Sequence, residues 1–357
     1  MKFIRKFLDK ITEKTTSGPA RFINPLFEAV NTALFDPDIP VDRSPYIRDA
    51  LNAKRYVFSV VIALTPVLMM STWYYGYKVL LMLLLAYGIG GFIEALFAYF
   101  RKETISEGFL VTGLLFVLIF PVTIPLGVFA VAVVFGIIFG KEVFGGVGHN
   151  VFNPALVGRL FVFLSWPRAV SPPVYLKPTE RLFEYASSTI DAVSQASPLA
   201  LFKGTGVSSS FSTLFLGPKP GCIGEISSLL IIAGGIYLIL MRVVNLRILI
   251  SILTAVVLTH FILSLFNTSM MPLSLQITGG GLLLGAFFMS SDPVTSPRSN
   301  SGKYIYGAFI GTGVVIFRHF TPLIESMMFS ILLGNAFSPL MDEAAIHFRK
   351  KKESSYE

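Results

Sequence analysis

Cysteine is all but absent from this chain. Cys222 stands alone, so no intrachain disulfide and no cysteine-rich metal site can form. Charge is scarce as well. Asp, Glu, Lys and Arg make up 14% of the residues against 53% apolar, and the mean hydropathy is +0.69, which excludes an ordinary soluble domain. The first 54 residues are basic but contain no apolar core, so no signal peptide is expected. No GxGxxG or P-loop pattern stands between a strand and a helix, so NADH or ATP binding by this chain is not expected. His149 has no second histidine or cysteine nearby and suits a structural role better than a ligand role. The net charge of +8 does not point to nucleic acid, because the basic residues cluster beside apolar runs, as they do on the cytoplasmic side of membrane proteins.

What the chain does have is a series of long, nearly uncharged stretches. They fall at about 56–75, 78–99, 106–120, 124–140 and 150–166, then 226–241, 247–266, 277–290, 304–320 and 323–341. Each approaches the length needed to cross about 30 Å of hydrocarbon. The expected fold is therefore an all-α integral membrane protein with about ten transmembrane helices. Two stretches are short and interrupted: 150–166 follows a Gly/Asn/Pro-rich turn, and 277–290 begins Thr278-Gly-Gly-Gly281. Short, glycine-interrupted spans at matching places suggest half-helices around a central site, and five spans per half make the two halves inverted. The organisation read from this is a cytoplasmic N-terminal segment (1–54), a first five-helix half (55–166), an external loop (167–224), a second half (225–341) and a basic cytoplasmic tail (342–357). Met1–Lys14 has the spacing of a basic amphipathic segment. With both termini inside, seven basic residues fall in the inner short loops (Arg101, Lys102, Lys141, Arg242, Arg247, Arg298 and Lys303) against two outside (Lys78 and Arg318).

Two stretches concentrate glycine, amide and charge: Lys141–Asn150 running into Asn153–Arg159, and Ser290–Asn300. Irregular backbone at membrane depth must be buried or line a cavity, so each is either a ligand site or a well-capped turn. Glu94, Glu107, Glu142, Glu225, Asp292 and Asp342 lie at or near span ends. Acids there suit ion passage or helix capping equally well.

In order along the chain come Ala50-Leu-Asn-Ala-Lys-Arg55, Glu107-Gly-Phe-Leu-Val-Thr-Gly113, Gly140-Lys-Glu-Val-Phe-Gly-Gly146 and Asn153-Pro-Ala-Leu156. Gly224-Glu-Ile-Ser227, Asp292-Pro-Val-Thr295, Ser301-Gly-Lys303 and Asn335-Ala-Phe-Ser-Pro-Leu340 follow. This set resembles the NqrB/RnfD family of membrane flavoproteins, which serve the Na+-translocating NADH:quinone oxidoreductases and, as a more distant match, the Rnf complexes. The resemblance implies a subunit of a translocase in the bacterial inner membrane, working with other membrane and peripheral subunits, quinone and Na+. It also implies FMN joined by a phosphoester to an external-loop hydroxyl by a flavin transferase, and non-covalent riboflavin. The family's Ser-Gly-Ala-Thr attachment motif is matched here by Ser194-Gln-Ala-Ser197, with Asp191 matching an upstream acid. Gln195 departs from the usual Gly and Ser197 from the usual Thr, and Gln195 bears on recognition by the transferase. Pro198 biases Ser197 to an extended backbone, expected to hold its hydroxyl outward. Glu107, Asp292 and Asp342 match positions linked to Na+ movement. A different class of protein, a transporter or channel without redox chemistry, fits the half-helices and acids equally well, as an Rnf-type membrane component fits the motifs.

Overall fold

The computed structural model describes residues 53–102, 108–170, 175–176, 178, 194–266, 270–323 and 325–354. The first-half helices are α1 (Ala53–Tyr75), α2 (Lys78–Arg101), α3 (Gly108–Ile119), α4 (Leu126–Gly140) and α5 (Pro154–Ser165). The connection to the second half carries α6 (Pro167–Val170), strands β1 (Tyr175–Leu176) and β2 (Ser194–Gln195), α7 (Pro198–Thr205) and α8 (Phe211–Leu216). Then come α9 (Ser228–Leu240), α10 (Leu246–Phe266), α11 (Leu273–Thr278), α12 (Leu282–Leu284), α13 (Asn300–Phe320) and α14 (Ser326–Ser354).

The sequence chemistry accounts for most boundaries. Gly76 takes φ 84° and lets the chain turn between α1 and α2. Asn153 caps α5, its side chain accepting from Ala155 N at 3.1 Å, and Pro154 occupies the first turn. The expected span at 277–290 is not one helix. α11 ends at Thr278, Gly280 and Gly281 adopt φ 59° and 67°, and α12 runs into a π-helical turn over Gly285–Met289. Successive left-handed glycines cannot continue a right-handed helix. At the other end of the chain, α14 carries through the expected boundary at 341 without a break.

Among the described residues, four helical stretches are long and apolar enough to cross a membrane: Tyr56–Tyr75, Lys78–Arg101, Leu126–Phe144 and Leu246–Phe266. α3, α5 and α9 are equally apolar but have only 12, 12 and 13 residues, about 18–20 Å each. Among the described residues the fold is otherwise helical. The exception is the antiparallel pairing of β1 with β2, Tyr175 opposite Gln195 and Leu176 opposite Ser194.

Helices meet through small residues. A Cβ on Gly307 or Gly311 of α13 would stand 2.7 and 2.4 Å from Ile248 O and Ile252 O of α10. This four-residue spacing of glycines lets two backbones touch, the usual means of packing helices in lipid. Gly158 of α5 sits as tightly on Ala132 O of α4. Outward-facing side chains are large and apolar, with Leu84, Leu240 and Phe266 70–85% exposed, a surface suited to lipid.

The neighbours recur between the halves. α2 packs on α4 and α4 on α5, as α10 packs on α13 and α13 on α14. α3 touches α1 and α5, while the broken segment at 282–289 touches α9 and α14. α1 and α9 join the halves.

Candidate functional site

The broken and shortened helices leave carbonyls pointing at buried space. Such groups need partners, and the C-terminal end of a helix carries partial negative charge. Three cations supply both needs. Arg159, inside α5, donates through Nη1 to Ile119 O at the end of α3. Lys219 donates to Thr278 O at the end of α11 and to Ser228 Oγ at 2.7 Å. Arg318 donates to Gln276 O, to Gly279 O at 2.9 Å, to Gly280 O at 3.2 Å and to Ser326 Oγ at 2.9 Å. All three side chains are buried. Burial pulls the Lys219 ammonium down to about 8, with Glu225 opposing.

Beside them lies a narrow cavity of about 40 Å³ lined by Arg159, Tyr175, Ser197, Glu225, Gly281 and Glu325, among others. Its walls come from both halves and from the connection between them. Arg159 pairs with Glu325 at the start of α14, both groups nearly inaccessible. Tyr175 of β1 donates to Glu325 Oε1 at 3.2 Å, and Arg159 Nη2 reaches Cys222 Sγ at 3.1 Å. Burial pushes the Cys222 thiol well up, with Arg159 opposing. The single thiol is 1% exposed and is no surface handle. Arg159 Nε is buried with no partner among the described residues.

Ser197 is found where its neighbour predicts and not as its neighbour predicts. Its backbone is extended, φ −58° and ψ 157°, as Pro198 requires. Its hydroxyl, however, is turned inward. It is 5% exposed and accepts from Ala200 N at 3.3 Å, as the N-cap of α7. Ser-Pro is a cap followed by a first-turn proline, and that local signature outweighs exposure. Ser194 is described by its backbone only, in β2, and Asp191 lies outside the described residues, as does Glu107.

The two remaining acids stand elsewhere, at turns. Asp292 accepts from Val294 N at 3.1 Å and Thr295 Oγ1 at 3.4 Å. Asp342, just beyond the expected end of the last span, accepts from Arg298 N at 2.7 Å, Ser299 N at 2.9 Å and Ser299 Oγ at 2.5 Å. Burial raises its pKa, but those hydrogen bonds and Lys303 outweigh it and hold the carboxyl below its ordinary value. Ser299 in turn caps α13. Asp292 thus holds a turn and Asp342 holds the N-cap residue of α13, and neither is among the cavity lining. Two further ion pairs tie the glycine-rich turn after α4 to α2: Lys141 to Glu94 at 2.5 Å, and Arg101 to Glu142 at 2.8 Å.

Glu325, Tyr175 and Lys219 escaped the sequence reading. Arg159 carried the available signal, since a guanidinium within an apolar span demands a buried partner. Nothing local identifies which acid supplies it, because Glu325 is 166 residues away (325 − 159).

Residues 40–350 match the family described as NQR2, RnfD, RnfE. The chain is 33% identical, over 98% of both lengths, to a protein of Azotobacter vinelandii named as a subunit of Na(+)-translocating NADH-quinone reductase. Proteins of the same name from Ectopseudomonas mendocina and Klebsiella pneumoniae are each 30% identical, over 98% and 96% of both lengths respectively.

Proposed function

The chain belongs to the NQR2, RnfD, RnfE family, and from that premise we propose that it is the flavin-bearing membrane subunit of a Na+-translocating NADH:quinone reductase. The observation that carries this reading is end-to-end similarity to proteins named as one and the same subunit of that enzyme, with no large part of either chain unmatched. The chain then sits in the bacterial inner membrane with both termini cytoplasmic, as the charge bias of its short loops favours. Ten spans in two inverted halves accord with the recurring neighbours of α1–α5 and α9–α14. Residues 1–54 and 342–357 lie inside and 167–224 outside, among the other subunits of the complex.

FMN fits Ser197. Attachment takes FMN from FAD: the Ser197 Oγ–phosphorus bond forms, the anhydride bond breaks, AMP leaves and the hydroxyl proton goes to solvent. The product is a phosphodiester with one negative charge. Ser197 stands at the positive end of the dipole of an eight-residue helix, where Pro198 has no N–H and Ala200 N bonds Ser197 Oγ. The cavity beside it has room for phosphate oxygens or a water or two, not for a tricyclic ring. Because the hydroxyl is buried, the transferase acts with the first turn of α7 open. The bound flavins, FMN here and riboflavin elsewhere in the membrane part, supply redox chemistry between a neighbouring flavoprotein of the complex and quinone. The protein's own groups fix position and charge. Glu107, Asp292 and Asp342 belong in this reading to the Na+ path.

Gel fluorescence of the denatured chain tests the reading, since only a covalent flavin survives denaturation. A fluorescent wild-type band that is lost in Ser197→Ala supports it. A dark wild-type band after co-expression with the transferase contradicts it and favours a transporter without redox chemistry.

A further inference from the structure

We propose that the groove between the ends of α9, α10 and α13 holds the headgroup of an anionic phospholipid, its phosphate between Arg242 and Arg247. The proposal does not rest on the flavin reading above. The groove has a volume of about 380 Å³ and is lined by Arg242, Asn245, Arg247 and Tyr304, with Leu246 and Ile250 among its apolar walls. That volume falls within the usual range of small-ligand sites, about 300–1,000 Å³.

Both arginines stand where the local structure favours another residue. α9 ends in a Schellman turn, in which Val243 N donates to Leu238 O at 2.9 Å and Arg242 N to Ile239 O at 3.0 Å. The left-handed position of such a turn is usually glycine. Here it is Arg242, at φ 58°. Asn245 then opens α10, its side chain accepting from Arg247 N at 3.1 Å. Arg247 is thereby placed in the first turn of a 21-residue helix, where the dipole opposes a cation. A charge bias between loops asks for basic residues in this turn, but not at these two positions.

Bringing the two guanidiniums to one groove adds their mutual repulsion. Neither has a side-chain hydrogen bond or ion pair among the described residues, and no acid lines the groove. An anion between them answers that excess of charge, and a phosphate is the anion that the guanidinium fork fits best.

The walls choose a lipid over a free phosphate. Leu246 and Ile250 continue into an outward stripe of α10 in which Val257, Leu258 and Phe261 are exposed. α10 is long and apolar enough to cross a membrane, so this stripe faces acyl chains and the groove stands at its end, at headgroup depth. Tyr304, also exposed, suits the same boundary.

The test is photolabelling of the full chain, purified in neutral detergent with the subunits that accompany it. The probe is phosphatidylglycerol carrying a photoreactive group near the headgroup, and labelled peptides are mapped by mass. Label should fall on residues 239–250 and around Tyr304. Unlabelled phosphatidylglycerol should compete about tenfold better than phosphatidylcholine, the size of one charge-assisted hydrogen bond. In Arg242→Gly/Arg247→Gln that preference should vanish and the label at the groove should fall. The same variant should melt at or above the wild-type temperature in lipid-free detergent, because glycine relaxes the left-handed position and glutamine removes the cation from the helix start. Equal competition by the two lipids in wild type, or full labelling in the double variant, would overturn the proposal. Inorganic phosphate competing as well as phosphatidylglycerol would replace the lipid with a free anion. Label found only away from the groove would mean that another subunit covers it. A double variant that melts well below wild type would show that the arginines serve the fold and not a ligand.

Discussion

The cation cluster and the acid turns solve one problem with opposite signs. In the cluster, α3 and α11 end in buried carbonyls, and Arg159, Lys219 and Arg318 hold them. At the turns, α13 begins with free N–H groups, and Ser299 and Asp342 hold that end, while Asp292 shapes the turn before it. Cations at C-terminal ends and carboxylates at N-terminal ends both follow the helix dipole. The difference is solvent. Arg159, Lys219 and Arg318 are buried, whereas Asp342 is partly open. Removing one partner of a buried pair strands a charge, while a solvated carboxylate leaves water in its place. The cation cluster should therefore fail steeply and the acid turns gently.

The sharpest break in that comparison is Glu325→Ala. It leaves Arg159 charged and unpaired, and should lower stability by about 3–5 kcal/mol, read from thermal unfolding in detergent. The Arg159→Leu/Glu325→Leu double variant should recover most of that loss. If the single variant melts with wild type, the buried pair does not hold the halves together.

Ser197→Ala comes next, at about 1 kcal/mol, because it removes a helix cap. Ser197→Thr keeps an oxygen at the cap and should lose little. This is where the structure changes the expectation most. The sequence placed Ser197 on an open loop, and its role as a cap was legible in Ser-Pro followed by an apolar run. Its burial was not, because that depends on Tyr175, Arg159 and Glu325 coming from distant parts of the chain. The long spans were legible within a few residues, 78–99 against Lys78–Arg101 and 247–266 against Leu246–Phe266, since composition alone marks them. The break at Gly279–Gly281 was seen as a start when it is an interruption. Hydropathy does not register that Leu273–Thr278 forms a helix of its own before the glycines.

Asp342→Asn should cost about as much, near 1 kcal/mol at neutral pH, by weakening bonds to Ser299 and Arg298 N. Its pH dependence is more telling. The folded pKa lies below the unfolded value of about 3.9, so the contribution of Asp342 is present above that value and is lost as pH falls through the folded one. The acid limb of the stability curve should flatten in Asp342→Asn. An unchanged limb would show that the hydrogen bonds do not discriminate between the two protonation states.

The smallest structural effect is expected of Asp292→Asn, which keeps the acceptor for Val294 N. It should leave assembly intact yet weaken Na+ stimulation of quinone reduction if this turn is also an ion path. Full Na+ stimulation in the assembled variant would reduce the turn to a cap.

The central claim is that Ser197 carries the flavin, and intact mass of the chain from transferase-containing cells tests it most directly. An FMN-sized increment is predicted in wild type and Ser197→Thr, with none in Ser197→Ala. An increment that persists in Ser197→Ala, or its absence from wild type, would contradict the account.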